Sequence, residues 1–538
     1  MKQEYNLHNG NSLSSLEMRD GIQTAIVGAT PSWWCVDPST YGTANMTLDD
    51  STYQNCSASF YDVSTNGYSV SSNHTLDSTT STASAACVRY YDPSFVTIVS
   101  EWDLVCERKY IKAAINSIQM AGVLVGALLA GQTSDSFGRR LTCYVTMVIH
   151  AVVCLAAGLS TSWQMYAVFR FFVGAAIGSY LVLHYVYVIE FVRHTWRPYL
   201  ASIPSWALGA GLMCLTAWQV PNWQYLHYIC AGLTVPFVFG WFISPESLRW
   251  LAANGRIEEA DKVVERIAKM NGRIKSSSIP EQLALLSEEE KLHGEEAHKY
   301  SYHVLFSNWR NAMKTVILSF CWMSLSMSFY GIIFGVSALS GNVFLNMFLL
   351  SVVEVPLTFV TAFITVWLGR RWTASGFFLL ASLTGFGILI ADRTGKPLSL
   401  NLSVGSFGSA SNSPITFVCG IVVPTSGETK DSIISAVAIC SKLFIAAAWT
   451  CMQTFSAELY PTVIRALGLG AVNVAARVGG ILAPFVLEMD TSDDAVKCYV
   501  IVGSIMAISG LSVLLLKETK GRALADTLHQ EQKELESV

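Results

Sequence analysis

The chain has 538 residues, of which 52% are hydrophobic and only 14% are charged, and its mean hydropathy is +0.40. This composition is too apolar for an ordinary soluble domain and indicates a protein with many membrane spans. The formal net charge of −4 excludes a strongly basic chain, so no nucleic-acid partner is expected.

The N-terminal part of the chain is polar. Residues 1–27 contain no apolar run long enough to cross a bilayer, and they lack the apolar core of a cleavable signal peptide. Residues 28–110 are rich in Ser, Thr, Asn and Asp, and we predict that they form an extracellular loop. Its N-glycosylation sequons lie at Asn45, Asn55 and Asn73, and a fourth sequon lies at Asn401 in a later outer loop. The cysteines of the first loop are Cys35, Cys56, Cys87 and Cys106, which predict two disulfides with three possible pairings.

Eleven apolar segments follow, each close to the length that a bilayer requires. We place them at 111–132, 141–161, 164–188, 199–219, 225–244, 313–335, 344–368, 372–391, 433–456, 466–487 and 496–516. With the glycosylated loop outside, the loops that carry most of the arginines fall on the cytoplasmic side, as the positive-inside rule requires. This assigns an N-terminal helix bundle to 111–244 and a C-terminal bundle to 313–516.

The two bundles are joined by residues 245–312, which form a charged cytoplasmic linker. Within it Ile257, Ala260, Val263, Val264 and Ile267 have helical spacing among charges, which predicts an amphipathic helix packed against the bundle. Residues 517–538 form a charged cytoplasmic tail. The linker and the tail therefore lie on the same side of the membrane.

An internal repeat relates the two bundles. Gly138-Arg139-Arg140 in the first bundle corresponds to Gly369-Arg370-Arg371 in the second, and the motifs at Glu190 and Glu458 correspond as well. Pro245-Glu246-Ser247 similarly matches Lys517-Glu518-Thr519. The second half supplies six spans but the first supplies five, so the first helix of the repeat is expected to be missing, through an absent exon or a truncated isoform.

Several motifs resemble those of known carriers. Residues 131–140, GQTSDSFGRR, resemble the G-x-x-x-D-x-x-G-R-R loop of the major facilitator superfamily. Over residues 28 to about 525 the chain resembles, more narrowly, the family of organic cation, organic anion and carnitine transporters. The pieces that carry this resemblance are GATPSWWC, EWDLVCERKY, PESLRWL, Ser340-Gly341-Asn342 and AELYPTVIRALG. The resemblance implies an all-α polytopic membrane protein with a major facilitator fold of two six-helix bundles, here with about eleven helices.

Charged residues at the junctions of cytoplasmic loops and helices form a candidate cytoplasmic gate. Carboxylates and guanidiniums at these places can pair across the two bundles and keep this side closed until the bundles rock apart. The arginines also satisfy the positive-inside rule, but that rule does not explain the glutamates. The predicted gate residues are Asp135, Arg139, Arg140, Glu190, Arg197, Glu246, Arg249, Glu458 and Arg465.

Three charged residues inside predicted spans are candidate substrate ligands. Arg477 suits a substrate carboxylate, and by resemblance this position holds an arginine in the anion and carnitine carriers but an acid in the cation carriers. Glu354 suits a cationic group and has a counterpart in the cation and carnitine branches. Together they would bind a zwitterion, or they would form a structural salt bridge without contacting substrate. Lys442 is the third candidate.

Aromatic side chains complete the predicted site. Trp322, Phe329 and Tyr330 lie seven to eight residues apart on one helix face, and by resemblance Trp322 and Phe329 line the family's cavity. Trp218 and Gln219 are weaker candidates. Arg170 with Gly174 and Gly178 is interpreted as a site of close helix packing with an ion pair.

These patterns predict a plasma-membrane carrier of small organic ions that works by alternating access, with organic cations or carnitine-like zwitterions as substrates. The alternatives are an organic anion exchanger and a non-transporting sensor or truncated isoform. No nucleotide-binding loop, metal cluster or nucleophile–base motif is present, so we expect neither an enzyme nor a cofactor. The expected partners are the small organic ion and the lipid bilayer, and the sequence leaves the oligomeric state open.

Overall fold

A computed structural model gives the fold of the chain. It describes residues 23, 26–31, 33–36, 59–60, 85–86, 88–191, 205–272, 279, 281, 284–285, 287–288, 303–334, 343–394, 415–418, 421–424, 430–460, 464–488 and 495–520. Of residues 1–27, therefore, Gln23, Ile26 and Val27 are described, and all three are buried. The four predicted sequons lie outside the described residues.

The N-terminal half consists of long apolar helices preceded by a small cap, on the side that the sequence predicts to be extracellular. The cap strands are β1 (Trp33–Val36), β2 (Ser59–Phe60), β3 (Ala85–Ala86) and β4 (Val88–Tyr91), followed by the short helix α1 (Ile98–Glu101). The membrane helices are α2 (Lys109–Phe137), α3 (Arg139–Gly158), α4 (Trp163–Phe191), α5 (Ser205–Gln219) and α6 (Trp223–Val238). A 3₁₀ turn at Phe239–Phe242 ends the last of these helices.

The linker contributes α7 (Leu248–Ala253), α8 (Ile257–Met270) and α9 (Val304–Ser307). The predicted amphipathic helix is α8, in which Ala260 is fully buried while Val263 and Val264 pack on Trp250 and Leu251. The C-terminal helices are α10 (Trp309–Phe334), α11 (Val343–Val352), α12 (Glu354–Leu368), α13 (Arg370–Thr394), α14 (Lys430–Leu459), α15 (Arg465–Glu488) and α16 (Ala495–Val513). A hairpin of β5 (Ile415–Val418) and β6 (Ile421–Pro424) lies between α13 and α14.

Eight helical segments within the described residues are long and apolar enough to cross a membrane. One of them runs from Val343 to Leu368 and joins α11 to α12. Helices α5, α13 and α16 account for the predicted spans that these eight do not cover. The prediction of an all-α polytopic membrane protein is thereby confirmed.

Close packing inside each half depends on glycines that face a neighbouring backbone. A Cβ atom on Gly174 would lie 2.1 Å from the carbonyl oxygen of Gln119, and one on Gly178 would lie 2.0 Å from that of Val123. Only glycine permits α4 to approach α2 this closely. In the C-terminal half, Gly479 plays the same part between α15 and α10, where its Cβ would meet the carbonyl of Met323.

The extracellular cap is fastened to the N-terminal half. Strands β1 and β4 pair in antiparallel register, and the side chains of Arg89 and Tyr91 both bind Asp103, with Tyr91 Oη 2.6 Å from Asp103 Oδ1. Farther along, Val96 forms an isolated β-bridge with Asn222 at the start of α6. The first bonds hold the cap together, and the Val96–Asn222 bridge joins it to the bundle.

Candidate functional site

Glu354 and Lys442 form a buried ion pair in the C-terminal half. The distance from Lys442 Nζ to Glu354 Oε2 is 2.9 Å, and the exposed fractions of the two side chains are 3% and 15% respectively. Lys442 Nζ also donates to the carbonyl oxygen of Leu350, 3.1 Å away. These two charged candidates therefore neutralise each other, and the partner of Glu354 is Lys442 rather than Arg477.

A break in the transmembrane helix positions this pair. α11 ends at Val352, and α12 begins at Glu354. Pro356 lies in the first turn of α12, where its missing N–H costs no helical hydrogen bond. The helix N-terminus favours the negative charge of Glu354, and the backbone near the break offers the Leu350 carbonyl to Lys442.

Arg477 lies on α15 and differs from the other two charged candidates. Its Nε is buried and has no hydrogen-bond partner, and no described carboxylate forms an ion pair with it. Two residues farther along, Gly479 brings α15 against α10, and Gly480 lies beside Tyr330 and Met120. Arg477 is therefore a positive charge close to the contact between the halves, with hydrogen-bonding capacity that the described residues leave unused.

The three predicted aromatic residues are brought together, and a fourth joins them. Trp322 and Trp449 form an edge-to-face pair with ring centroids 5.1 Å apart, and Phe329 lies 5.5 Å from Trp449 and 5.7 Å from Tyr330. Lys442 Nζ lies 4.9 Å from the centroid of the Phe329 ring, so the cluster adjoins the ion pair. Sequence reasoning missed Trp449, although it follows Lys442 by seven residues and therefore shares its helix face.

The remaining intramembrane candidates lie elsewhere. Trp218 is 61% exposed at the outer end of α5, and Gln219 beside it is exposed as well. Arg170 is fully buried, and its Nη2 donates to the side-chain oxygen of Gln119 at 2.5 Å. That contact joins α4 to α2 beside Gly174, so the arginine meets an amide at the site of close packing.

At the cytoplasmic end of the N-terminal half, the predicted gate residues contact one another. Arg139 pairs with Asp135, and its Nε lies 3.6 Å from Glu190 Oε1. Burial raises the pKa of Glu190, while hydrogen bonds from Ser247 and Arg139 oppose the rise. Glu246 accepts a hydrogen bond from the backbone N–H of Arg140 at 3.0 Å, so it caps the start of α3.

The C-terminal half repeats this arrangement with different residues. Arg370 Nε lies 3.0 Å from Glu458 Oε2, as Arg139 pairs with Glu190. Glu518 caps the start of α13, accepting from the backbone N–H groups of Arg370 at 2.9 Å and Arg371 at 3.1 Å. Burial disfavours its charge, but four backbone donors outweigh burial and lower the pKa of Glu518. Sequence reasoning noted the Lys517-Glu518-Thr519 motif in the repeat but assigned Arg370 and Glu518 no site role.

A glycine makes each of these caps possible. Gly138 has φ +102° and Gly369 has φ +96°, and each residue lies directly against the capping carboxylate. A Cβ on Gly138 would lie 2.7 Å from Glu246 Oε2, and one on Gly369 would lie 2.8 Å from Glu518 Oε2. Both the backbone conformation and the contact therefore require glycine.

The ion pairs Arg139–Asp135, Arg139–Glu190 and Arg370–Glu458 each join residues of the same half. Arg249 is exposed and lies close enough to Glu190 to lower its pKa. Arg197 and the side chain of Arg465 lie outside the described residues. Pairing between the halves thus stays a prediction, while pairing within them is what the described residues show.

Two of the described contacts between the halves lie on the side that is predicted to be extracellular. Ser117 Oγ donates to the carbonyl oxygen of Ile481 at 2.8 Å, which joins the outer parts of α2 and α15. The rings of Phe95, in the cap, and Phe344, at the outer end of α11, form an edge-to-face pair with centroids 5.0 Å apart. These contacts are those of a carrier whose outer side is closed.

The cap cysteines are described only in part. Cys106 forms a disulfide, as the sequence led us to expect, and Cys35 lies on β1. Cys56 and Cys87 lie outside the described residues. The pairing of the four cysteines therefore stays a prediction.

Comparison with known proteins places the chain among transporters. Residues 56–528 match the family model described as "Sugar (and other) transporter". The chain is 32% identical to human solute carrier family 22 member 16 over 438 residues, which are 80% of this chain and 69% of that protein. It is 29% identical to human organic cation/carnitine transporter 2 over 441 residues, which are 81% of this chain and 71% of that protein.

Solved structures show the same fold at low sequence identity. An inward-open conformation of the xylose transporter XylE from E. coli matches with a TM-score of 0.61 and 14% identity, covering 97% of this chain and 98% of that one. A partially occluded inward-open conformation of the same transporter matches with a TM-score of 0.60 and 15% identity, covering 97% and 99%. This likeness confirms the major facilitator fold.

Proposed function

The chain belongs to the sugar (and other) transporter family, and on that premise we propose that it carries carboxylate-bearing organic ions, above all carnitine-like zwitterions, by alternating access. Transport of small organic ions across the membrane is what its relatives in solute carrier family 22 support. Such a carrier binds and releases its substrate unchanged, so we assign the protein no enzymatic activity.

The unpaired guanidinium of Arg477 is the observation that carries this proposal. Lys442 already neutralises Glu354, so these three residues together contribute one net positive charge. A substrate carboxylate would neutralise that charge and accept two parallel hydrogen bonds from the guanidinium, a geometry that a lysine ammonium group does not offer. Simple organic cations are therefore disfavoured relative to zwitterions.

The aromatic cluster supplies the complementary half of a zwitterion site. A trialkylammonium group binds best over the faces of aromatic rings, and Trp322, Trp449 and Phe329 lie together beside Lys442. One end of a carnitine-like molecule would then contact Arg477 while the other contacts these rings. This arrangement leaves the Glu354–Lys442 pair intact.

Organic anion exchange is the second candidate function. It is favoured by the same charge balance, because Glu354 is engaged by Lys442 and is not free to attract a cation. Human solute carrier family 22 member 12 is 29% identical to the chain over 452 residues, so more than one branch of the family is equally near. A dicarboxylate would bind Arg477 without needing the aromatic cluster.

Uptake of labelled carnitine, tetraethylammonium and a dicarboxylate by cells that express the chain tests the proposal. We expect carnitine uptake, and we expect Arg477→Ala to raise its KM roughly tenfold or more, the equivalent of a lost charge-assisted hydrogen bond. Arg477→Lys keeps the charge but loses the fork, so we expect it to recover only part of the affinity. Trp218→Phe, at the exposed outer end of α5, is the control.

Each outcome assigns the protein differently. Uptake of the dicarboxylate alone, lost in Arg477→Ala, would support the anion exchanger. Tetraethylammonium uptake that Arg477→Ala leaves unchanged would overturn both proposals. Equal amounts of each variant at the cell surface, measured by biotinylation, are needed before the KM values are compared.

A further inference from the structure

The linker helix α8 uses one side to pack on the protein and leaves the other side to solvent. Ala260 is fully buried, and Val264 packs with it against Leu251 of α7. The opposite side carries charged residues, including Lys262 and Lys269, which are exposed. Protein contacts therefore account for the apolar face of this helix but not for its charged face.

Three basic residues on the exposed side form a narrow strip with acidic residues on both flanks. At 3.6 residues per turn, Lys262, Arg266 and Lys269 fall within an arc of about 60°, and Glu258 and Glu265 lie on one side of that arc, about 20° from each other. Glu259 lies on the opposite side of the basic arc from Glu258. Its Oε1 pairs with Arg256 Nη2 at 2.5 Å. The helix thus has a basic edge, which we define as Lys262, Arg266 and Lys269.

The basic edge lies toward the membrane. Arg266 Nη2 donates to the carbonyl oxygen of Phe242 at 3.2 Å, and Phe242 ends the 3₁₀ turn that closes α6. The side chains of Phe242 and Phe239 are 71% and 63% exposed, as expected of rings that face lipid at the inner end of a span. The guanidinium of Arg266 therefore lies at the level of the cytoplasmic headgroups.

We propose that the basic edge of α8 binds the headgroups of anionic phospholipids in the cytoplasmic leaflet. Phosphate and carboxylate groups of such lipids attract juxtamembrane lysines and arginines, and the attraction falls away within a Debye length. The bond of Arg266 to the end of α6 holds its guanidinium within a Debye length of the membrane surface. Lys262 and Lys269, one turn before and about one turn after it, reach the same surface.

The purified full chain in lipid nanodiscs tests this inference. We expect its melting midpoint to be higher when phosphatidylserine replaces part of the phosphatidylcholine, and we expect most of that shift to be lost in Lys262→Gln/Lys269→Gln. The matched control is Glu258→Gln/Glu265→Gln, which neutralises two charges on the same helix and should keep or increase the shift. A variant with both lysines changed to arginine should behave as the wild type.

Two further measurements distinguish binding of the membrane lipid from binding of the free headgroup. Soluble glycerophosphoserine should give no shift in phosphatidylcholine nanodiscs, and high salt should abolish the shift that phosphatidylserine gives. Comparison of the midpoints in phosphatidylcholine alone shows whether a variant folds normally. An equal response to phosphatidylserine in the wild type and in Lys262→Gln/Lys269→Gln would overturn the proposal, as would a full response to the soluble headgroup.

Discussion

The carboxylate of Glu354 and the ammonium group of Lys442 depend on each other, because both lie where water is scarce. Lys442 is 3% exposed, and its contacts with the Leu350 carbonyl and the Phe329 ring do not replace a counter-ion. Removing one member of such a pair leaves a buried charge, whereas replacing both members does not. If the pair has only this structural role, replacing both residues should leave transport unchanged.

A double-mutant cycle separates these roles. We expect Lys442→Met alone to lower the free energy of unfolding by about 3–5 kcal/mol, because Glu354 is left buried without its cation. Glu354→Gln/Lys442→Met should restore most of that loss, measured as the melting midpoint of the purified chain. A double variant no more stable than the single one would contradict the coupling. Carnitine uptake by the stable double variant would show that the pair is structural, and loss of uptake would show that the pair takes part in transport.

At the scale of single elements, the start of α13 depends on a carboxylate from the far end of the chain. Glu518 accepts from the N–H groups of Arg370 and Arg371, and Gly369 makes room for it. Helix N-termini present such unpaired donors, and an anion there also meets the positive end of the helix dipole. The tail after α16 is therefore part of the bundle's cytoplasmic end.

Glu518→Gln tests this cap through its dependence on pH. The pKa of Glu518 is lowered in the folded protein, so its charge contributes stability above the carboxyl's ordinary pKa, and the contribution is lost as pH falls through the lowered value. We expect Glu518→Gln to cost roughly 1 kcal/mol at neutral pH and progressively less in acid, since the group is partly solvated. The measurement is the melting midpoint of the wild type and of Glu518→Gln over a range of pH, and the two midpoints should converge in acid. A Glu518→Gln effect independent of pH would contradict the assignment.

At the scale of the whole molecule, the cap links the two halves on the outer side. Phe95 is held to the N-terminal half through the Val96–Asn222 bridge, and its ring meets Phe344 of the C-terminal half. When the halves rock, this pair must separate before substrate can enter from outside. The Phe95–Phe344 ring contact thus joins the cap to the transport cycle.

Phe95→Ala should shift the resting carrier toward its outward-open state. An aromatic pair contributes about 0.5–1.5 kcal/mol, so we expect roughly a two- to tenfold change in the population of the open state. The measurement is the rate at which a membrane-impermeant thiol reagent labels Ser117→Cys, since Ser117 is buried between the halves. Tyr90→Ala, in the same cap but exposed, is the control. Equal labelling rates with and without Phe95 would argue against the contact.

Much of this architecture could be predicted from the sequence because its signals are local. The span lengths, the arginine-rich loops and the Gly-Arg-Arg motif can each be recognised within a short stretch of sequence. Partners could not be predicted in the same way: nothing in the sequence shows that Lys442 would be the partner of Glu354, 88 residues away. Similarly, Glu518 reaches Arg370 across 148 residues, and Trp449 joins Trp322 only because α14 packs beside α10.

The two caps at Glu246 and Glu518 also bear on how the polypeptide is put together. Each cap closes within its own half, and Trp250 fastens the first part of the linker to Asp135, whose carbonyl oxygen lies 2.8 Å from its Nε1. A chain severed between Gly272 and His303 would leave both caps and that bond intact. We therefore expect two separately translated fragments to insert as separate bundles and to associate through the contacts on their outer side, as a heterodimer of unlinked halves would.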